Sequence, residues 1–243
     1  MTVVVSWSNV FPDTPSLHES DRHACNFNHL TGLYLAHRLA YDPEGDRIQE
    51  AFANSTYCGY DALEDLAEQF PDNHTLHGAI ATICEDSGWV DEALVHLRAA
   101  VALRPRWLTY RHRLGRVLAF KLGRVTAAIA ELRFAAFSSP RRPSRDLLVD
   151  LAKLQLEVGD IAGARETAAL HRDHDPYEPF AVAVLAVCAQ REGGETSGRE
   201  YANEAAALLA RARFLDSDQI EEVDSTLASL HATAFDQSFR HAS

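Results

Sequence analysis

The sequence lacks long apolar runs, common catalytic motifs and paired cysteines, and each absence excludes a class of protein. No stretch of about 18 apolar residues occurs, so no membrane span is expected. The stretch MTVVVSWSNV has no basic residues before its short apolar run, which is atypical of a signal peptide and more typical of a short strand or extended arm. Nucleophile-elbow, phosphate-loop, dinucleotide and H-E-x-x-H motifs are all missing. We therefore expect binding rather than catalysis, although a catalytic set assembled only in space would leave no motif.

Cysteine is scarce and widely spaced. The four cysteines are Cys25, Cys58, Cys84 and Cys188, and none forms a C-x-x-C pair. A disulfide framework is not expected in a chain of this length with that spacing. A reducing compartment fits better, and the sequence therefore predicts a cytoplasmic protein.

The charges are segregated along the chain. The formal net charge is −12, yet residues 98–145 hold twelve Lys or Arg and one acid, Glu131, a net +11. The remainder holds eleven basic and thirty-four acidic residues, a net −23. Such asymmetry carries information about partners rather than about the fold.

Glycines and prolines recur with a period of 34 to 36 residues. The glycines are Gly88, Gly123, Gly159 and Gly193, and the prolines are Pro71, Pro105, Pro140 and Pro176. Glycine ends or turns a helix, and proline opens a new segment after one has finished. Each period is therefore predicted to hold two helices joined at the glycine, which indicates a stacked array of αα-hairpins.

The segments that follow the glycines share one layout. A small residue stands five positions after the glycine, and another apolar or small residue follows four positions later. The first set is Ala93, Ala128 and Ala164, and the second is Leu97, Leu132 and Ala168. Spacing of four places each pair on one helix face, and small residues there allow two helices to approach closely.

These segments resemble tetratricopeptide repeats, whose period is about 34 residues. The matching positions are Gly88, Ala93, Leu97, Ala100 and Pro105; then Leu114, Gly115, Gly123, Ala128, Leu132, Ala135 and Pro140; then Leu151, Ala152, Gly159, Ala164 and Pro176. The resemblance covers roughly residues 74–215. Two departures occur: the early aromatic residue is replaced by His77 or Arg111, and the interval from Gly115 to Gly123 is one residue too long. The family implies an all-α, right-handed superhelix with a concave face that holds peptides or other proteins.

The regions outside the repeats are weaker in pattern. Residues 1–57 are predicted to form an arm and an irregular helical segment, with helices at 25–40 and within EGDRIQEAFANS. Residues 58–215 are predicted to be the repeats, beginning with the second helix of a unit at 60–71. Residues 216–243 are predicted to be a capping helix and tail, with Ser217 or Asp218 as its N-cap.

The candidate binding site lies mainly in residues 98–145, which we call the basic segment. In repeats of the resembling family, the first helix of each pair lines the groove, which implies that this segment makes the groove basic at its centre. The candidate partner-binding residues are Arg106, Thr109, His112, Arg113, Arg116 and Lys153. Guanidinium forks pair carboxylates or phosphates, so the expected ligand is an acidic segment or chain terminus of a partner protein, or a phosphorylated group.

Three alternatives to that site stay open. The arginines could pair with the chain's own acids, including the EEVD string at 221–224, which is internal and so unlike a free acidic terminus. A nucleic acid would also suit a basic patch, but the acidity of the rest of the chain disfavours it. The chain could instead form a homo-oligomer in which the groove holds the TVVVSW arm of a second copy.

A metal site is the alternative of another class. His23, Cys25 and His29 lie within HACNFNH, and imidazole and thiolate suit zinc or iron. This would make the chain a metal-using enzyme or a metal-handling accessory. The spacing matches no standard motif, so surface histidines and a core cysteine explain the same residues.

Overall fold

The computed structural model describes residues 31–55, 60–138, 142–212 and 215–240, with side chains to Leu230. In those ranges the regular elements are helices and no strand occurs, which confirms the predicted all-α class. The helices are α1 (31–38), α2 (Gly45–Asn54), α3 (Tyr60–Gln69), α4 (His74–Ser87), α5 (Val90–Leu103), α6 (Leu108–Arg116), α7 (Val125–Ser138), α8 (Arg145–Glu157), α9 (Ile161–His174), α10 (Pro179–Arg191), α11 (Glu195–Arg211) and α12 (Ser217–Arg240). None of them has the length and apolarity needed to cross a membrane within the described part of the chain.

Two compact units make up the chain, Met1–Ile83 and Cys84–Ser243. The division falls within α4. The predicted domain boundaries after residues 57 and 215 follow sequence pattern instead of compactness, so the two divisions cut the chain at different places.

The first unit is organised around the start of α4. The Asn73 side-chain oxygen accepts a hydrogen bond from the Leu76 amide at 2.8 Å and so caps the helix. The Asn73 amide nitrogen donates to Asp42 at 2.9 Å and to Glu44 at 3.1 Å, which ties the start of α4 to the segment before α2. The helices expected within 25–40, EGDRIQEAFANS and 60–71 are present in the described residues as α1, α2 and α3.

The second unit is a stack of helix pairs. Within pairs, α6 packs on α7, α8 on α9 and α10 on α11, while α5–α6, α7–α8, α9–α10 and α10–α12 contacts join successive elements. The apolar core follows this stacking: Leu97, Leu132, Leu151 and Phe180 are all buried. Every pair therefore buries its apolar face against its neighbours.

The backbone confirms the predicted turns at the four periodic glycines. Gly88, Gly123, Gly159 and Gly193 adopt φ values of +79°, +63°, +79° and +83°. These left-handed conformations close one helix and start the next, and they strain any residue that has a Cβ atom. The period seen in the sequence is therefore a period of backbone turns.

Small residues do allow the helices to approach closely. Ala93, Ala128 and Ala164 are fully buried. At Gly115 the approach is tighter, because a Cβ atom there would lie 2.6 Å from Leu132 Cγ on α7. The contact between α6 and α7 therefore depends on the absence of a side chain at position 115.

A π turn absorbs the extra residue between Gly115 and Gly123. Helix α6 continues from Val117 to Lys121 with π geometry, and the Leu122 amide donates to the Val117 carbonyl at 3.2 Å. One additional residue in a helix is accommodated as such a bulge. The departure from the repeat length thus leaves Gly123 in its turn.

Helix α12 follows the last pair and packs on α10. Its N-cap is Asp216, one residue before Ser217 and two before Asp218, the two predicted caps: Asp216 Oδ1 accepts from the Gln219 amide at 2.9 Å. The Gln219 side chain accepts in return from the Asp216 amide at 3.2 Å. This reciprocal capping box explains the correction, because the glutamine three residues on selects Asp216.

We expect Gly159→Ala to lower the free energy of unfolding by about 1–2 kcal/mol, since alanine disfavours positive φ. Open space surrounds the position, so the cost is conformational and not steric. Gly159→Asn is the matched control, because asparagine tolerates this conformation better and should cost less. Urea denaturation measures both. Equal losses for the two variants would contradict the assignment.

Candidate functional site

Helix α6 and the turn that continues it carry two stripes with opposite exposure. Tyr110, Leu114, Val117 and Leu118 are buried against the stack. The stripe of Arg106, Thr109, Arg113, Arg116 and Phe120 is exposed, except for Arg113, which is half-buried. The helix therefore turns its apolar stripe to the core and most of its polar stripe to solvent.

Ion pairs join α6 to the first helices before and after it. We call the charged residues of these three helices the first-helix face: Glu85 on α4, His112, Arg113 and Arg116 on α6, and Arg145, Asp150 and Lys153 on α8. It brings together four of the six predicted partner-binding residues. Arg106 and Thr109 are exposed at the start of α6 and make none of its ion pairs.

Arg113 is held by an acid from the end of α4. Its Nη2 donates to Glu85 Oε1 at 2.8 Å. Burial raises the pKa of Glu85, and the charge of Arg113 opposes that effect. Arg113 therefore lies at the predicted place but with its guanidinium already engaged.

Asp150 on α8 is shared by two groups of α6. His112 Nε2 donates to Asp150 Oδ2 at 2.8 Å. Arg116 Nε lies 3.7 Å from the same oxygen, which is longer than a hydrogen bond. The Arg116 side chain is 57% exposed, so its guanidinium keeps most of its donor groups open to a ligand.

A second cluster lies between α8, α10 and α12. Arg145 donates to Glu178 at 3.2 Å and to Glu222 at 3.0 Å, and Lys153 Nζ donates to Glu222 at 2.9 Å. Glu178 is also the N-cap of α10, accepting from the Phe180 amide at 3.2 Å. Although burial lowers the pKa of Arg145, the charges of Glu178 and Glu222 more than offset this and raise it. Arg145 is therefore the hub of a partly buried charge network.

The second helices of the pairs are joined in the same way. Arg133 donates to Glu166 at 2.6 Å and Arg172 to Glu204 at 3.1 Å, at sequence separations of 33 and 32. Two further pairs join a first helix to a second helix: Arg165 on α9 pairs with Glu192 at the end of α10, and Arg111 on α6 pairs with Glu131 on α7 and stacks 3.9 Å from the Phe134 ring centroid. Many of the arginines thus neutralise the chain's own acids, which was one of the alternatives left open.

Six cations of the basic segment have no described acid within 4.0 Å. They are Arg98, Arg104, Arg106, Lys121, Arg124 and Arg142, and all are exposed; Arg142 donates instead to the His174 carbonyl. Four of these flank α6, two before its start and two at its end. Together with Arg116 they leave a surplus of positive charge around α6 that the chain does not neutralise within the described residues.

The metal hypothesis falls on residues outside the described ranges. His23, Cys25 and His29 all precede residue 31, so the zinc or iron site stays a prediction. In the described parts of the chain, no three His, Cys, Asp or Glu side chains are grouped to hold a metal. Burial raises the pKa of Cys84 to about 12 and that of Cys188 to about 11, so neither thiol ionises at neutral pH.

The sequence analysis did not single out Arg145 or Glu178, but it named the EEVD string, which contains Glu222, as a possible internal partner of the arginines. A usable signal existed for the first pair, because opposite charges stand one repeat apart at separations of 32 to 33. Glu222 has no such spacing: it lies 77 and 69 residues from Arg145 and Lys153. Its contact depends on where α12 packs.

The comparisons show the fold. No protein-family model and no curated protein matches the chain. YrrB, described as a TPR protein with an unusual peptide-binding site, has a TM-score of 0.55 at 14% identity, covering 85% of this chain and 94% of its own. MamA from Desulfovibrio magneticus RS-1 has a TM-score of 0.53 at 15% identity, covering 78% of this chain and 98% of its own. PilW, a type IV pilus biogenesis factor, has a TM-score of 0.50 at 16% identity, covering 84% of this chain and 91% of its own. The chain therefore has the tetratricopeptide-like α-solenoid fold that its residues resemble.

We expect Arg145→Met to lower the free energy of unfolding by about 2–4 kcal/mol, because it leaves a buried carboxylate without its cation. Glu178 is only 6% exposed. Arg133→Met is the matched control, since its pair with Glu166 is about half exposed and should contribute less than about 1 kcal/mol. Guanidinium denaturation of both variants measures the difference. Similar losses would contradict the role of Arg145 as hub.

We expect acidification to remove stability through His171. Burial lowers the pKa of His171, while the charge of Glu178 opposes the shift. The neutral ring therefore stabilises the fold fully above its unfolded-state pKa of about 6.5, and this contribution is lost as the pH falls through the folded-state pKa. The free energy of unfolding should fall more steeply below about pH 6.5 in the wild-type chain than in His171→Gln. Parallel pH profiles from urea denaturation would contradict this.

Proposed function

We propose that this chain is a protein-binding adaptor or accessory protein whose first-helix face receives an acidic segment or chain terminus of a partner. The tetratricopeptide-like fold supports a protein partner, and the similar YrrB structure is described as having a peptide-binding site. Binding of this kind needs only a preformed surface and complementary charge. The proposal assigns no catalytic step.

The observation that carries the proposal is the uncompensated charge around α6. Arg104, Arg106, Lys121 and Arg124 surround the helix without a described acid within 4.0 Å, although the whole chain has a net charge of −12. In an acidic protein, a local positive field attracts acidic ligands, while the negative remainder of the surface repels them. An acidic segment is therefore directed to α6.

Arg116 is the residue proposed to contact the ligand. Its side chain is the most exposed of the cations that form ion pairs on the first-helix face, and its distance of 3.7 Å from Asp150 leaves hydrogen-bond donors unused. A planar guanidinium can pair a carboxylate with two parallel hydrogen bonds. Arg106 and Thr109 lie on the same exposed stripe of α6, where they would extend the contact along the helix.

His112 and Arg113 have a supporting role in this proposal. Each is held by an acid of a neighbouring first helix, at 2.8 Å in both cases. A ligand that took over these groups would deprive Glu85 or Asp150 of its 2.8 Å hydrogen bond, which is costly for partly buried acids. They therefore orient the surface, and Arg116 supplies the free charge.

We expect Arg116→Glu to weaken binding of a hexaglutamate peptide with a free terminal carboxylate by about tenfold, which corresponds to about 1.4 kcal/mol. The matched control is Arg98→Glu, the same charge reversal at an exposed position of the second helix α5. It should change the affinity less than about twofold. Fluorescence anisotropy of the labelled peptide at low and raised salt measures both, and an amidated peptide tests the contribution of the terminus.

Equal weakening by the two variants would show that only the net charge matters and would contradict a site at α6. Absence of binding to the wild-type chain at low salt would contradict the proposal itself. Helical circular dichroism of each variant checks that the fold is retained.

A further inference from the structure

Helix α12 places a carboxylate between two cations of α8. Glu222 Oε1 lies 2.9 Å from Lys153 Nζ, and Glu222 Oε2 lies 3.0 Å from Arg145 Nη2. Each oxygen thus has its own cationic donor, which is how a bound carboxylate is held in a recognition site. The acid comes from a helix that follows the repeats and not from the neighbouring repeat.

An apolar contact accompanies the carboxylate. Val223, the next residue, is completely buried in a cluster that includes Val149, Ala152 and Phe180. Lys153 Nζ lies 5.9 Å from the centroid of the Phe180 ring, at the edge of that cluster. The surface that α12 covers therefore combines a two-cation site for a carboxylate with an apolar slot beside it.

The described side chains of α12 are mostly exposed or half-buried on this surface. In Ser217–Leu230, where its side chains are described, Val223 is the single buried residue. Helix α10, in the interior of the stack, has ten buried residues among thirteen. Leu227 is partly buried, and Gln190 Nε2 donates to the Leu230 carbonyl at 3.0 Å. Few buried apolar contacts place a segment among those that open locally at low cost.

We propose that Arg145 and Lys153 form a carboxylate-binding site that α12 fills with Glu222, and that an acidic segment of a partner protein occupies it when α12 is released. The ligand has a glutamate followed directly by a β-branched apolar residue, as in Glu222 and Val223. This deepens the proposed function, on which it rests for the existence of a partner. Glu222 and the carboxylate of the partner segment compete for this site, because both bind the same two cations.

The internal helix sets the apparent affinity for the external ligand. The site is available only in the fraction of molecules in which α12 is released, so the apparent dissociation constant rises by the inverse of that fraction. Weakening the hold of Glu222 should therefore strengthen capture of an external segment. A merely structural contact would instead lower stability without creating a binding site.

The test uses a fluorescent peptide that copies residues 216–230 and the full-length chain in three forms. The forms are wild type, Glu222→Gln and the matched control Glu221→Gln, an exposed neighbour that makes no described ion pair. We expect Glu222→Gln to bind the peptide about five- to tenfold more tightly than wild type. Glu221→Gln should stay within about twofold of wild type. Hydrogen exchange in 217–230 should accelerate in Glu222→Gln only.

Two further arms separate capture at this site from other effects. Adding Lys153→Gln to Glu222→Gln should abolish the gain, and a peptide carrying glutamine in place of Glu222 should bind at least fivefold more weakly. If Glu222→Gln binds no more tightly than wild type, or if both glutamine variants gain equally, the inference is wrong. Hexaglutamate binding that depends on Arg116 is measured on the same proteins, so the proposed function stands or fails separately.

Discussion

Stacking of helix pairs is the constraint on which the second unit depends. A single αα-hairpin cannot bury its apolar face alone, so each pair is stabilised by the next. The stack requires turns of nearly constant geometry, and Gly88, Gly123, Gly159 and Gly193 supply them with positive φ. The π turn after α6 shows how strict the requirement is: an extra residue distorts the helix, while the glycine turn that follows it is kept. The stack also determines many of the ion pairs, because it brings opposite charges that stand one repeat apart in the sequence into contact.

Much of this framework was predictable from residue types and spacing. The glycine period, Ala93, Ala128 and Ala164, and the two stripes of α6 all concern local backbone geometry or one helix face, and local rules determine both. The choice of charge partners was not predictable to the same degree. Arg113 acts electrostatically on both Glu85 and Asp86, and the register between neighbouring helices selects Glu85 for the ion pair. Glu222 depends on the docking of α12, which has no repeat spacing to reveal it.

The pairing changes how the basic segment acts. Counted along the chain, residues 98–145 are strongly positive. In three dimensions Arg113, Arg133 and Arg145 are neutralised by acids from outside that segment, so the residues that form the strongest contacts contribute least to an external field. The positive field comes instead from the exposed cations at the two ends of α6. A linear charge count therefore identifies the correct region and misassigns the residues within it.

Self-pairing also makes recognition selective. A cation that already holds an internal carboxylate binds an external one only if the exchange gains free energy, and a weakly acidic segment gains little. At the Arg145 and Lys153 pair the internal competitor also contributes an apolar contact through Val223, so an external ligand must match both features. At Arg116 no such competitor is in hydrogen-bond contact, and charge alone can attract a ligand. Helix α6 would thus govern encounter, and α8, once α12 is released, would govern discrimination.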